Sequence, residues 1–255
     1  MLNNNEIMIL IFLGGIYFIS QFIRLFFKAR KIEYEFTAIV NHTFRTPLTR
    51  IGWISKELES DLPINERLLQ LQNLNNATNK LLEIVDLIAG IKDIKNTNGY
   101  FFEAISLRDV VEKSIAKYRE EINKKNITFH VSAFKDAPLM TLDIKKISFA
   151  IDTIIENAIF YTPKDGKVLI DYVFGKKHLT IYVADSGIGL SFMDKMRIFS
   201  RFYRNKRAIL AYPDGMGLKL YLSKQIVNRH HGEIYVKSEG INKGTTVVLK
   251  LPFKK

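Results

Sequence analysis

From Ile7 to Ile23 the chain is apolar and uncharged, and Arg24, Lys28, Arg30 and Lys31 follow closely. Beyond them the pattern becomes periodic. Phe36, Val40, Phe44, Leu48, Ile51, Ile54 and Leu58 recur at steps of three and four, which predicts a helix from about Glu33 to Ser60. Pro47 has no N–H and crowds the carbonyl of Thr43, so a bend is expected one turn past His42. Asp61-Leu62-Pro63 breaks the pattern as a turn. Leu71, Leu74, Thr78, Leu81, Val85 and Ile88 then form a heptad seam on a second helix. Two helices with such long apolar faces cannot bury them alone, so self-association of the hairpin into a dimeric four-helix bundle is expected.

A polar linker, Lys92 to Gly99, precedes a region of mixed periodicity. Ser106 and Asp109 have the spacing of a capping box for a helix reaching about Ile122. Strand-like runs occupy Ile127–Val131, Lys167–Phe174, Leu179–Ala184, Glu233–Ser238 and Thr245–Leu251, between helices near 143–160 and 218–230. The order predicts a mixed sheet with helices on one face, an α+β two-layer sandwich. There is no internal repeat and no low-complexity tract. The expected segments are 1–32 (anchor and juxtamembrane), 33–92 (helical hairpin), 93–103 (linker) and 104–255 (α+β domain).

Composition narrows the chemistry. The chain of 255 residues has no cysteine, which excludes thiolate nucleophiles, zinc–thiolate sites and disulfides. Its net charge is +12, yet no base-reading motif accompanies the basic residues, and no nucleic-acid partner is expected. Part of the charge sits beside the first apolar run. A bilayer core needs ~20 apolar residues in a helix, and residues 7–27 are just long enough. The leading charge is Glu6 and no small-residue cleavage site follows, unlike a signal peptide. Basic residues after the span place the following bulk in the cytoplasm. The expectation is an uncleaved single-pass anchor in the cytoplasmic (inner) cell membrane. Only residues 1–6 lie outside, too few for an extracytoplasmic sensor domain.

Candidate chemistry lies in two constellations. The first is Phe36-Thr-Ala-Ile-Val-Asn-His42-Thr43-Phe-Arg45-Thr46-Pro47-Leu48. The second comprises four pieces in order: Glu156-Asn157-Ala158 through Phe160-Tyr161; Asp185-Ser-Gly187-Ile-Gly189; Phe199-Ser-Arg-Phe202-Tyr203-Arg204; and Asp214-Gly215-Met-Gly217-Leu218-Lys219. The first resembles the phosphoacceptor box of sensor histidine kinases. The second resembles the N, G1, F and G2 boxes of the histidine-kinase, GHKL-type (Hsp90-like) ATP-binding domain. The resemblance covers about residues 33–255.

By that resemblance His42 is the phosphorylated residue, with Thr43, Arg45 and Thr46 in the same catalytic box. Thr46 matches the position linked to dephosphorylating the partner response regulator. Asn157 would hold Mg²⁺, a cation that favours oxygen ligands, and Asp185 would read the exocyclic amine of adenine. Gly187 and Gly189 would let backbone approach the base. Gly215 and Gly217, before a helix starting near Leu218, would present free N–H groups to phosphate. Tyr161, Phe199, Phe202, Lys219 and Thr245 complete the ATP-binding set, Thr245 supporting adenine recognition.

Departures from the family pattern also matter. The acidic residue usual after the histidine is Thr43; the asparagine usual four before the magnesium ligand is Thr153, able at best to bind weakly or through water. A common basic position is Phe160, and the third glycine of the last box is Lys219, which either crowds the phosphates or supplies charge. Lys206 and Arg207, between Arg204 and Asp214, are further candidate phosphate partners or plain solvated charge. The resemblance implies a membrane-bound protein-histidine kinase using ATP and Mg²⁺. It would autophosphorylate His42, slowly for want of the acidic residue, and pass the group to an aspartate of a separate response regulator. One alternative is a pseudokinase that binds ATP and acts as response-regulator phosphatase or scaffold. A more distant one is a GHKL-type ATPase, opposed by the absence of a glutamate at position 153.

Overall fold

The computed structural model describes residues 37–41, 43–93, 99–132, 138–212 and 215–253. The expected anchor over 7–27, His42, most of the linker and Asp214 lie outside the described residues. Among those described, no helix is long and apolar enough to cross a membrane. The chain divides into two compact units, Met1–Leu81 and Leu82–Lys255.

The first unit holds helix α1, over 37–58 apart from position 42, and the opening turns of α2, Ile64–Asp93. Residues 61–63 form the non-helical turn between them, as the Asp-Leu-Pro signal predicts. Ile54 of α1 and Ala77 of α2 are buried, whereas Leu48, Trp53, Leu68, Leu69 and Leu71 are exposed. Along the expected seam Leu71, Thr78 and Val85 face solvent in a single copy, and Leu74, Leu81 and Ile88 are half-buried.

The second unit is the α+β sandwich. Its elements are β1 (Glu103–Ile105), α3 (Leu107–Lys117), α4 (Arg119–Lys124), β2 (Thr128–Val131), β3 (Met140–Leu142), α5 (Ile144–Tyr161), β4 (Lys167–Phe174) and β5 (His178–Asp185). They continue with α6 (Phe192–Arg197), α7 (Lys206–Ala211), α8 (Lys219–Arg229), β6 (Glu233–Lys237) and β7 (Thr245–Pro252). Five strands run in the order β2-β4-β5-β7-β6, and β1 pairs with β3 in a separate two-stranded ribbon. Only β2–β4 is parallel in the large sheet; the other pairs are antiparallel. The single expected helix after Ser106 is two, interrupted at Tyr118.

Alternation builds the core. Val168 and Ile170 of β4, Ile181 and Val183 of β5, and Val247, Leu249 and Leu251 of β7 all turn to one face. Against it lie Ile147, Ile151, Ile154 and Ala158 of α5, at helical spacing, together with Ile226 and Val227 of α8. Each fully buried isoleucine contributes about 1.5–3 kcal/mol relative to exposure. The last turns of α2 belong to this unit too. Ile84 and Leu87 are buried there, and Gly90 lies against Leu222 of α8.

Candidate nucleotide site

Helix α5 is fixed at both ends, and that fixes Asn157. At its start the Asp143 carboxylate accepts from Lys146 N at 3.0 Å and from Phe101 N at 2.9 Å. At its end Lys125 Nζ donates to the carbonyls of Ile159, Phe160 and Thr162 at 2.8–3.2 Å. Helix C-terminal carbonyls lack intrahelical partners, so a cation there both satisfies them and meets the negative end of the dipole. Burial pushes the Lys125 ammonium below the ordinary lysine range, with Glu121 partly opposing. Asn157 is half-buried one turn before this cap.

Thr153 proves a structural residue. It is buried and its hydroxyl donates to the Phe149 carbonyl at 2.8 Å. Phe160 packs against Tyr212 with ring centroids 5.0 Å apart. Where the family pattern has a basic side chain, this chain has an aromatic contact to the segment after α7.

Asp185 ends β5 directly across from Thr245, the first residue of β7. One carboxylate oxygen, Oδ1, accepts from Gly187 N at 2.8 Å and Thr245 N at 3.2 Å. Burial outweighs those bonds and pushes the carboxyl up to about 6. Gly187 and Gly189 both lie close against neighbouring backbone. A Cβ on Gly187 would strike the Tyr161 carbonyl, and one on Gly189 would strike that of Gly240. Gly189 also has φ +60° and bridges to Ile241, a conformation that costs other residues of order 1–3 kcal/mol. Gly189→Ala should therefore destabilise the protein by about 2–3 kcal/mol and lower Tm by roughly 5–10 °C. Calorimetry checks this; an unchanged Tm would show that the loop relaxes freely.

The phosphate side is built from the F and G2 boxes. Phe199 packs against the main core, and Lys224 Nζ lies 5.2 Å from its ring centroid. Phe202 has φ +60° and donates its N–H to the Gly217 carbonyl at 2.9 Å. Gly217, at φ +68°, passes so close to the Phe202 backbone that a Cβ would overlap it. Arg204 gathers the intervening segment, donating to Gly215 O at 2.7 Å, to Ala208 O at 2.9 Å and to Tyr212 O. Tyr161 lies beside this guanidinium; burial pushes its phenol up, while Arg204 pulls the other way.

Lys206 is exposed at the start of α7. Arg207 donates to Asp194 Oδ2 at 3.3 Å and reaches the Gly189 carbonyl at 3.5 Å, so it ties α7 to the glycine loop. Arg207 is thus partly buried and paired, not plain solvated charge. Lys219 opens α8 and is held by Glu156, whose two carboxylate oxygens accept at 2.8 and 2.9 Å, and by Glu83 of α2. Burial alone would lower its ammonium, but the Glu156 and Glu83 carboxylates hold it above the ordinary lysine range. Lys219 is thus paired with two carboxylates at the start of α8.

In the other unit, Thr43 is half-buried and its hydroxyl donates to the Ile39 carbonyl at 2.7 Å. Arg45 and Thr46 are exposed.

Several contributors were missed in the sequence. Ser191 and Asp194 form a complete capping box on α6, and Tyr203 Oη donates to Asp194 Oδ1 at 2.6 Å. Burial opposes ionisation of Asp194, but Tyr203, Ser191 and Asn205 together hold it below the usual carboxylate range. The Ser-x-x-Asp spacing was a readable signal for that cap. Lys125 and Glu156 had none, since each acts on a residue distant in sequence.

The groups present suit an adenine nucleotide: an acceptor carboxylate set by two backbone N–H groups, then a glycine-lined turn opening an 11-residue helix. Residues 142–255 match the histidine kinase-, DNA gyrase B-, and HSP90-like ATPase family. The chain is 32% identical over 229 residues to the sensor histidine kinase WalK of Bacillus subtilis, covering 86% of this chain and 36% of that one. Full-length ShkA in complex with AMPPNP superimposes with TM-score 0.65 at 19% identity, over 86% of this chain and 45% of that one. ThkA, solved in complex with the response regulator TrrA, gives 0.63 at 23% identity, over 86% and 61%. These two structures share the fold, and the chain spans little more than a third of its Bacillus relative. With the ordered boxes and that match, residues 142–255 belong to the histidine kinase-, DNA gyrase B-, and HSP90-like ATPase family, and the chain is similar to sensor histidine kinases over 86% of its length.

Proposed function

We propose that this chain is a membrane-bound kinase that transfers the γ-phosphoryl group of ATP to His42 and then to an aspartate of a separate response regulator. The observation that carries it is the Asp185 carboxylate, fixed by the N–H groups of Gly187 and of Thr245 opposite it on β7. The phosphoacceptor sequence on α1 supplies the acceptor. One ring nitrogen of neutral His42 attacks the γ-phosphorus, the bond to the bridging oxygen breaks, and ADP leaves. The proton on the other ring nitrogen needs an acceptor, and Thr43 cannot take it at neutral pH. Phosphoryl transfer rests chiefly on positioning and charge stabilisation, so the reaction is slow rather than absent. Asn157 offers a carboxamide oxygen suited to Mg²⁺, which would neutralise phosphate charge.

The ThkA–TrrA likeness supports a response-regulator partner. The exposed Leu71 and Val85 on α2 support a homodimer through the hairpin. The apolar run over 7–27 with its basic flank supports a single-pass anchor in the cell membrane, with the later domains cytoplasmic. The proposed domains are the anchor (1–32), phosphoacceptor hairpin (33–92), linker (93–103) and ATP-binding domain (104–255).

The test incubates the full chain in detergent with γ-labelled ATP and Mg²⁺, beside His42→Ala. Acid-labile label on the parent alone is expected. ATP binding with no label would replace the kinase by the phosphatase or scaffold reading.

A further inference from the structure

The ion triad at the start of α8 joins two features with no other evident link. Lys219 follows the glycine-lined turn where phosphate would meet the helix N-terminus. Its ammonium is shared between Glu156, which precedes Asn157 on α5, and Glu83 on α2. One ammonium is shared by two carboxylates, so an anion arriving there competes with both for Lys219. The two acids differ in their freedom to withdraw. The Glu156 side chain is 15% exposed and the Glu83 side chain 34%. Glu83 can exchange its ion pair for water at much smaller desolvation cost.

Glu83 also stands on the stretch of α2 that rests on α8. Leu87 and Gly90 lie four and seven residues on, with Gly90 against Leu222. Leu222 is three residues after Lys219. Loss of the ion pair would remove one of the contacts between that stretch and α8.

Resting on the ATP-binding reading above, we propose that Lys219 is an exchangeable phosphate ligand, passing from Glu83 to the terminal phosphates of ATP, so that nucleotide binding unlatches the end of α2 from α8. Glu156 keeps the ammonium in place through the exchange. Because linkage is reciprocal, whatever weakens the Glu83 contact strengthens ATP binding.

The experiment measures ATP affinity by calorimetry for the full chain, Glu83→Gln, Lys219→Met and the double variant. Glu83→Gln is expected to tighten ATP about fivefold, the low end of typical coupling, and to have no effect once Lys219 is methionine. An equal gain in both backgrounds would reduce the effect to general charge and overturn the exchange; no gain in either would overturn it too. If Lys219→Met does not fold, ATP is compared with AMP in Glu83→Gln. A gain confined to ATP upholds the exchange, and an equal gain for AMP overturns it. Failure of the parent to bind any adenine nucleotide would instead overturn the underlying ATP reading, and the exchange with it.

Discussion

Asp185→Asn should weaken adenine-nucleotide binding about 30- to 100-fold while leaving the fold intact. The two backbone bonds to Oδ1, from Gly187 and Thr245, survive because a carboxamide oxygen also accepts them. The remaining oxygen, which would take the exocyclic amine of adenine, becomes an NH₂ group. A donor then faces a donor, and an unmade hydrogen bond in a partly buried site costs about 2–3 kcal/mol. A pH series adds a signature that simple damage would not produce. Burial pushes the Asp185 carboxyl up to about 6. In the free protein its proton is a stabilising ligand of the fold, fully so below the unfolded carboxylate value and lost as pH rises through 6. Binding runs the other way, since the ionised group is the better acceptor. Parent affinity should therefore fall up to tenfold per unit as pH drops below 6, and level off above 7. The Asp185→Asn protein should be flat over the same range. A flat parent profile, measured by calorimetry, would show that Asp185 does not read the base.

Much of this arrangement could be read from the chain before any coordinates. Lys167–Phe174 keeps its expected limits because a long alternating run bounded by Asp165-Gly166 and Gly175 leaves little choice of register. Helix α5 is likewise close to its expected span, since isoleucines at 147, 151, 154 and 155 fix its buried face. The elements that escaped notice are short. β1 and β3 have three residues each, and α6 and α7 six, too few for a period to show. Site residues divided along a similar line. Asp185 and Thr245 are legible because glycines punctuate the turns around them. Sequence spacing alone could not show that the Thr153 hydroxyl bonds to its own helix. Nothing local announces that Lys219 meets Glu83 and Glu156, which lie far away in sequence. Such pairings belong to the tertiary fold, and so does the close approach of Gly240 to Gly189.

Thr43→Glu should speed phosphorylation of His42 by about 10²-fold, the lower end of what a positioned general base contributes. As attack proceeds, the imidazole must release or share the proton on its second ring nitrogen. A threonine hydroxyl at neutral pH cannot accept it, and this hydroxyl is already turned back to donate to the Ile39 carbonyl. Such back-bonding satisfies the side chain within its own helix and slightly disfavours the helix. A glutamate cannot make that bond as a carboxylate. Its longer side chain leaves the helix surface and carries an acceptor that stays ionised well below neutral pH. ATP affinity should not change, because Thr43 is not among the residues that would hold the nucleotide, Asp185, Asn157 and the start of α8. The gain should thus appear in the rate at saturating ATP. Thr43→Gln supplies the control, with similar length and no basic oxygen, and should stay near the parent rate. Initial rates of acid-labile labelling decide the matter. Equal rates for the Glu and Gln variants would mean that proton removal does not limit this kinase, and the slow step would have to be sought in bringing His42 to the γ-phosphate.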